Sequence, residues 1–172
     1  MRSVLEQTFD DFRPEYNMRS SWSDGSVVET AAKFFASCKH VLDIGSGIGK
    51  FVIMSAQLQP DTIFTGVEIN PKWYDVSVEA KEHFVVKNVN LIKDDFCNID
   101  ISLYDGFYIF NPFFMSANLH NEDKSILHYE RMLYDLKVGT KLVMHNQCYS
   151  VPRSWERVKT CDNYAKYYIK RI

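Results

Sequence analysis

Three glycines at alternate positions mark the segment of the sequence with the clearest chemical meaning. The segment reads Asp43-Ile44-Gly45-Ser46-Gly47-Ile48-Gly49 and follows a short apolar run. Glycines permit a tight turn and let the backbone approach a nucleotide-type ligand closely. A nicotinamide-binding loop more often reads G-x-G-x-x-G, with a diphosphate at the helix N-terminus, whereas the third glycine here comes one position early. The loop alone therefore predicts a nucleotide-type ligand.

Two further acids suit such a ligand. Glu68 lies 23 residues after Gly45, near the separation at which an acid reaches a ribose and accepts hydrogen bonds from its hydroxyls. Asp95 is placed to accept a hydrogen bond from an adenine amino group, and Phe96 to pack on the ring. Each acid also has a structural alternative, with Asp43 as a turn cap, Glu68 as a surface acid and Asp95 as a helix cap. Their combination favours a shared ligand site.

Alternating strand and helix patterns indicate how these residues are positioned. Strands are predicted at 40–44, 62–69, 88–93, 106–110 and 141–145, with one or two closing strands in 155–158 and 164–172. Helices are predicted at 26–35, 50–59, 71–86 and 125–136, the first opened by a Ser26/Glu29 capping box. Such alternation requires crossover connections, and ligands then lie beyond the carboxyl ends of the strands. We therefore predict an α/β fold with a doubly wound, mainly parallel sheet of about six to seven strands and helices on both faces.

The glycine loop, Glu68 and Asp95 together resemble the class I, seven-strand methyltransferases that use S-adenosylmethionine (SAM). The resemblance extends from about Ser26 to the C-terminus and implies a Rossmann-like methyltransferase fold with SAM as the cofactor. In that family the segment matching 41–49 contacts the methionine part, the acid matching Glu68 holds the ribose, and the acid matching Asp95 contacts adenine. The implied cofactor-binding residues are Asp43, Gly45, Ser46, Gly47, Gly49, Glu68, Asn70, Asp95 and Phe96.

The methyl acceptor is expected at the end of the fourth strand, which reads Phe110-Asn111-Pro112-Phe113-Phe114. This resembles the Asn-Pro-Pro-Tyr signature of methyltransferases that act on planar amide or aromatic amino nitrogens, with Phe113 in place of the second proline. The resemblance implies catalytic roles for Asn111, Pro112 and Phe113. Two alternatives stay open: Asn111-Pro112 as a strand stop, and aromatic rings that surround a lysine ammonium, since the chain also loosely resembles seven-strand protein-lysine methyltransferases.

Other polar residues have weaker signals. His145, at the end of the fifth strand, is placed for the general-base work that oxygen methylation would need, although a buried, hydrogen-bonded histidine is the commoner explanation. Tyr16, Arg19 and Trp22 lie in an N-terminal extension, residues 1–25, that in this family commonly folds over SAM; surface packing is the alternative. No metal site is predicted.

Composition predicts one domain over residues 1–172, because 46% hydrophobic residues suffice for a core. The four scattered cysteines suit free thiols in a reducing compartment, and no signal peptide or apolar span is evident, so we expect a cytoplasmic protein without membrane contact. The formal charge is -2, yet residues 153–172 carry six bases against two acids. That segment could meet an acidic macromolecule, or form a solvated face.

The sequence thus predicts a SAM-dependent methyltransferase with a nitrogen acceptor, which is a protein side chain, a nucleobase or a small molecule. The alternative is a SAM-binding module or partner subunit without catalysis, since no added substrate-recognition domain is evident. A nucleotide-cofactor dehydrogenase is disfavoured by the early third glycine and by the lack of a convincing catalytic pair. The acceptor itself is not legible in the sequence.

Overall fold

A seven-stranded sheet organises the part of the chain that the structure describes. The structure is a computed structural model and describes residues 8–9, 11–12, 23–112, 122–145, 150–160 and 165–172. The strands are β1 His40–Ile44, β2 Ile63–Glu68, β3 Val89–Lys93, β4 Gly106–Phe110, β5 Lys141–His145, β6 Trp155–Thr160 and β7 Ala165–Lys170. Their order across the sheet is β3-β2-β1-β4-β5-β7-β6. Strands β1 to β5 are parallel, whereas β7 is antiparallel to both β5 and β6.

Helices cover both faces of the sheet. They are α1 Gly25–Phe34, α2 Lys50–Leu58, α3 Pro71–His83 and α4 Glu122–Asp135, with short 3-10 turns at Phe96–Asn98 and Ile101–Leu103. Side chains of a strand alternate between faces, and β4 shows this directly. Tyr108 joins a core with α1, α2 and α3, while Phe107 and Ile109 join a second core with α4. The predicted α/β, doubly wound, Rossmann-like fold is confirmed.

Several predicted element bounds differ from the observed ones. Strands β1, β4 and β5 have the predicted bounds, because each is a short apolar run with a clear stop. Helix α3 ends at His83 rather than at Val86, since the next residues leave the helix and Val85 takes a φ of +54°. Helix α4 begins at Glu122, three residues before the predicted start at Ser125.

The start of α1 corrects the predicted capping box. Asp24, and not Ser26, is the N-cap: its Oδ1 accepts hydrogen bonds from the Ser26 backbone N–H at 2.9 Å and from the Ser26 hydroxyl at 2.7 Å. Ser26 is already inside the helix, which begins at Gly25. Aspartate caps a helix at least as well as serine, so the acid two residues upstream takes the position.

The basic C-terminal segment is partly used inside the fold. Lys170 is only 4% exposed, and its Nζ donates to the Leu133 and Tyr134 carbonyl oxygens at 3.0 and 2.7 Å, at the C-terminus of α4. Arg171 pairs with Glu156 at 2.5 Å. Strand β7 also lies inside the sheet, between β5 and β6, so Lys170 is not part of a solvated face. A carbonyl-rich helix end is a favourable place for a buried ammonium group.

None of the helices in the described ranges is long and apolar enough to cross a membrane.

Candidate active site

The predicted site residues meet at one edge of the sheet, because the parallel strands β1 to β5 all end there. The glycine loop joins β1 to α2, Glu68 is the last residue of β2, and Asp95 comes two residues after β3. Asn111 follows β4 directly, and His145 ends β5. This is the edge at which doubly wound sheets bind their ligands.

A cleft opens at this edge, where β1 and β2 end and the segments that follow β3 and β4 begin. Five predicted site residues line it: Gly45, Glu68, Asp95, Phe96 and Pro112. Ser125 of α4 also lines the cleft, and this could not be predicted, because no local pattern shows which turn of a helix faces a ligand across the fold. Phe113 lies outside the described residues, as do Tyr16, Arg19 and Trp22.

The three loop glycines all occupy the left-handed backbone region, with φ of +74° at Gly45, +56° at Gly47 and +82° at Gly49. Only glycine adopts this conformation without strain. A Cβ at Gly45 would lie 2.8 Å from the Pro112 Cβ, whereas a Cβ at Gly47 would have nothing within 4 Å. Gly45 thus lets the glycine loop pack against the segment that follows β4 and begins with Asn111-Pro112, called the acceptor loop below. Gly47 leaves open space.

Most backbone N–H groups of the glycine loop are used within the protein. Gly45 and Ser46 both donate to the Val67 carbonyl oxygen at 3.0 Å, and Gly49 donates to the Ser46 carbonyl oxygen at 2.9 Å. Loops that cradle phosphate instead point free N–H groups at the anion. This loop is therefore poorly suited to a diphosphate, which argues against the dehydrogenase alternative.

The carboxylate of Glu68 holds the loop together. It is only 3% exposed; its Oε2 accepts from the Gly47 N–H at 2.8 Å and its Oε1 from the Asn70 N–H at 2.7 Å. The sequence predicted this carboxylate as a ribose acceptor and missed its second role as the brace between loop and helix α3. Both roles are compatible, because each carboxylate oxygen accepts more than one hydrogen bond.

Asp43 makes the site more acidic. It is 3% exposed, and burial, together with the neighbouring Glu68 charge, raises the pKa of its carboxyl well above the usual value. Two carboxylates that are buried side by side repel each other when both are ionised, and a positive charge nearby relieves that repulsion. The local charge of the site therefore favours a cationic ligand.

Asp95 and Asn70 each cap a helical element. Asp95 accepts from the Cys97 N–H at 2.9 Å at the start of the Phe96–Asn98 turn, so the predicted alternative of a cap is observed. Asn70 accepts from the Lys72 N–H at 3.0 Å and begins α3. Phe96 is buried and meets His128 edge to face, with ring centroids 5.0 Å apart.

Asn111 has a φ of +46°, the left-handed conformation that asparagine tolerates better than most residues. A residue held in this region next to a ligand cleft is a common feature of functional sites. Its neighbour Pro112 carries the contact with Gly45. The structure thus joins the predicted cofactor loop to the predicted acceptor loop through one proline-glycine contact.

Gly66 is a structural residue that the sequence interpretation missed. A Cβ there would lie 2.6 Å from the Ser46 Oγ. The Ser46 hydroxyl therefore packs against β2, and it has no hydrogen-bond partner among the residues that the structure describes. A glycine inside a strand of β-branched residues often marks a close approach of this kind, and that signal was available.

Comparison with known proteins finds methyltransferases among the sequences and structures that are similar to this chain. A family model described as "Putative methyltransferase" matches residues 37–118, which span β1 to the acceptor loop. Two tRNA (guanine-N(7)-)-methyltransferases from Synechococcus strains JA-3-3Ab and JA-2-3B'a(2-13) are 40% and 39% identical over 62 residues. These matches cover 36% of this chain and 25% of each relative.

Solved structures share the fold over most of the chain. An RNA methyltransferase from Salinibacter ruber, in complex with S-adenosyl-L-homocysteine (SAH), has a TM-score of 0.67 at 21% identity, covering 87% of this chain and 93% of its own. A methyltransferase from Geobacter sulfurreducens has a TM-score of 0.72 at 13% identity, covering 100% and 92%. The chain thus has the fold of these methyltransferases, and it is similar in sequence to methyltransferases over residues 37–118.

The site residues suit SAM, the cofactor of the methyltransferases that share this fold. SAM carries a positive sulfonium, and the site offers two buried carboxyl groups and few free N–H donors. Gly47 leaves space on its open side, and the cleft beside Asp95 and Phe96 continues past the end of β3. Among the described residues no group of three or more histidine, cysteine or acidic side chains could hold a metal ion.

Proposed function

We propose that this protein is a methyltransferase that binds SAM along the carboxyl edge of the sheet and transfers the methyl group to a nitrogen atom. The observation that carries the proposal is the placement of Asn111 beside the acidic glycine loop, joined to it by the contact between Gly45 and Pro112. Asp43, Glu68 and the open side of Gly47 would hold the cationic and ribose parts of SAM. The Asp95 and Phe96 region would receive adenine.

The acceptor side follows from the same geometry. A methyl transfer from sulfonium to nitrogen is an in-line displacement, so the protein mainly aligns the nucleophile and leaves its lone pair free. An amide oxygen at Asn111 accepts a hydrogen bond from an acceptor N–H and thereby orients the lone pair. The Synechococcus relatives act on a nitrogen of guanine, which supports a nitrogen acceptor without naming the one used here.

Two further aspects of the function stay predictions. One is the cytoplasmic location. The other is an acidic macromolecule as acceptor, bound through the basic C-terminal segment. Lys170 and Arg171 are engaged within the protein, so an electrostatic contact would depend on other bases, such as the exposed Arg157 and Lys159 of β6.

The test is isothermal titration of the full chain with SAM and with SAH. Asp43→Asn and Glu68→Gln should weaken SAM binding at least about tenfold, because each removes a charge worth about 1.5–3 kcal/mol to a hydrogen-bonded partner. Asp61→Asn is the matched control, since this exposed acid lies in the turn before β2, at the opposite edge. Lack of binding by the unmodified chain to either ligand would refute the proposal.

The acceptor role is tested with labelled SAM and fractionated lysate. Asn111→Gly removes the amide and also relieves the left-handed φ, so a folding defect is not expected. This variant should bind SAM as the unmodified chain does and lose methyl transfer. Retained turnover would show that Asn111 does not orient the acceptor. Absence of turnover in the unmodified chain, with SAM binding intact, would favour a SAM-binding module instead.

A further inference from the structure

An aromatic pair stands where the acceptor is expected. Phe110 and His145 are register partners at the ends of the neighbouring parallel strands β4 and β5. Their rings stack with centroids 4.2 Å apart and an interplanar angle of 21°. Phe110 directly precedes Asn111, and His145 is 7% exposed. The imidazole is therefore fixed one strand away from the residue proposed to hold the acceptor.

The groups around this imidazole favour proton transfer. Phe110 faces it from β4, and Ala165 lies opposite it on β7 with Lys166 next along that strand. Asp24, at the start of α1, interacts with it through its charge. The Ser26 hydroxyl does most to lower the pKa of Asp24, and the charges of Lys50 and His145 contribute. A carboxylate near the imidazole stabilises the imidazolium that forms when the ring takes a proton.

Position separates His145 from the other described histidines. His40 begins β1 and His83 ends α3, both at the opposite edge of the sheet, while His128 lies within α4 against Phe96. Of the histidines that the structure describes, His145 is the one at the carboxyl edge beside the acceptor loop.

We propose that His145 accepts the proton that the acceptor nitrogen loses, and hence that the acceptor is a nitrogen bearing hydrogen, of the amine or amide class. This rests on the proposed function. A ring nitrogen with only a lone pair, such as N7 of guanine, has no proton to lose and would need no base. The amide oxygen of Asn111, which accepts from an N–H, fits the same class of acceptor.

The step balances as follows. The acceptor nitrogen donates its lone pair to the methyl carbon and forms the N–C bond. The S–C bond breaks, and its electron pair stays on the sulfur, which becomes the neutral thioether of SAH. The N–H proton passes to an imidazole nitrogen of His145, which must be neutral beforehand and becomes a cation stabilised by Asp24.

A titration of His145 by NMR tests the placement without any acceptor. With ¹³C-labelled histidine, its pKa is measured in the SAM complex and in the SAH complex, and His145→Gln assigns its signal. A base in reach of the acceptor also lies near the sulfonium, and the positive charge of the sulfonium should lower the pKa of that base by about one unit or more relative to the SAH complex. His40 is the control, because it lies at the opposite edge of the sheet, and its signals should not differ between the two complexes.

The outcomes separate this inference from the proposed function. Equal pKa values of His145 in the two complexes would overturn the inference, whereas absence of SAM binding by calorimetry would overturn the proposed function. Labelled SAM with separate protein and RNA fractions then distinguishes an amine of a side chain from one of a nucleobase. Label recovered as 7-methylguanine would overturn the inference as well. His145→Gln should keep SAM affinity within about twofold and lose the rise of turnover with pH.

Discussion

The contact between the two functional loops predicts unequal effects for two similar substitutions. Gly45→Ala and Gly47→Ala each add one methyl group at a left-handed position, with φ of +74° and +56°. The backbone cost of such a residue is about 1–2 kcal/mol in both cases. At Gly45 the new Cβ would also lie 2.8 Å from the Pro112 Cβ and 2.9 Å from its Cα, whereas at Gly47 it meets nothing within 4 Å.

Overpacking adds about 1–3 kcal/mol to the cost at Gly45. Gly45→Ala should therefore lower the free energy of unfolding by about 2–5 kcal/mol, and Gly47→Ala by only about 1–2 kcal/mol. Urea denaturation followed by circular dichroism measures both. Calorimetry should show the opposite order for SAM affinity, with the larger loss in Gly47→Ala, because the added methyl group would occupy space proposed for SAM.

A double substitution assigns the cause. Pro112→Gly removes the Cβ that the new methyl group would meet, so it should recover about 1 kcal/mol or more of the loss in Gly45→Ala and nothing in Gly47→Ala. Equal destabilisation by the two alanine substitutions, or no coupling to Pro112, would refute the idea that this contact joins the cofactor loop to the acceptor loop.

Three other predictions concern buried charges and one concerns a cap. Glu68→Gln should cost about 1–3 kcal/mol in urea denaturation even without SAM, since an amide group replaces one of two acceptors of backbone N–H groups. Lys170→Met should cost about 2–3 kcal/mol in the same assay by removing two charge-assisted hydrogen bonds at the end of α4, with unchanged SAM affinity in calorimetry. The pKa of Asp43 is higher in the folded than in the unfolded protein. Its contribution to the free energy of unfolding is therefore complete below the unfolded pKa near 4 and is lost as the pH rises through the raised pKa of the folded state. The thermal shift caused by SAM should accordingly grow with pH over that window, and it should not in Asp43→Asn. Asp24→Ala should lower stability by about 1 kcal/mol in urea denaturation, and Ser26→Ala by less; the reverse order would restore the predicted capping box.

The sheet could be predicted because its signals are local. Apolar runs such as Gly106–Phe110 end at strong stops, here Asn111-Pro112, and the loop glycines mark left-handed turns that other residues avoid. Parallel strands then bring their carboxyl ends to one edge whatever their exact bounds. Hence the placement of Glu68, Asn111 and His145 at one edge followed from the order of elements alone.

The error in the helix cap was local, whereas the roles missed for Lys170 and Glu68 depend on contacts between distant segments. Asp24 and Ser26 are both candidate caps and lie two residues apart, and it is the Asp24 side chain that caps the helix. The buried position of Lys170 could not be predicted, because no sequence pattern shows that the last strand ends beside the C-terminus of α4. The bracing hydrogen bonds of Glu68 were also invisible, because they depend on how the glycine loop curls back over β2.

The acidity of the site has a consequence for the order of events in the proposed reaction. The sulfonium of SAM is the charge that Asp43 and Glu68 would neutralise, and methyl transfer turns it into a neutral thioether. The buried carboxyl groups then lose their counter-charge, so SAH should be held less tightly than SAM by an amount that shrinks once Asp43 is replaced by asparagine. A proton taken up at His145 in the same step leaves a positive charge at the acceptor side, near Asp24 and apart from the cofactor. The positive charge that the sulfur loses is thus carried by the imidazole beside the acceptor. Because the carboxyl groups have lost their counter-charge, SAH is bound less tightly even before the imidazole returns its proton to solvent.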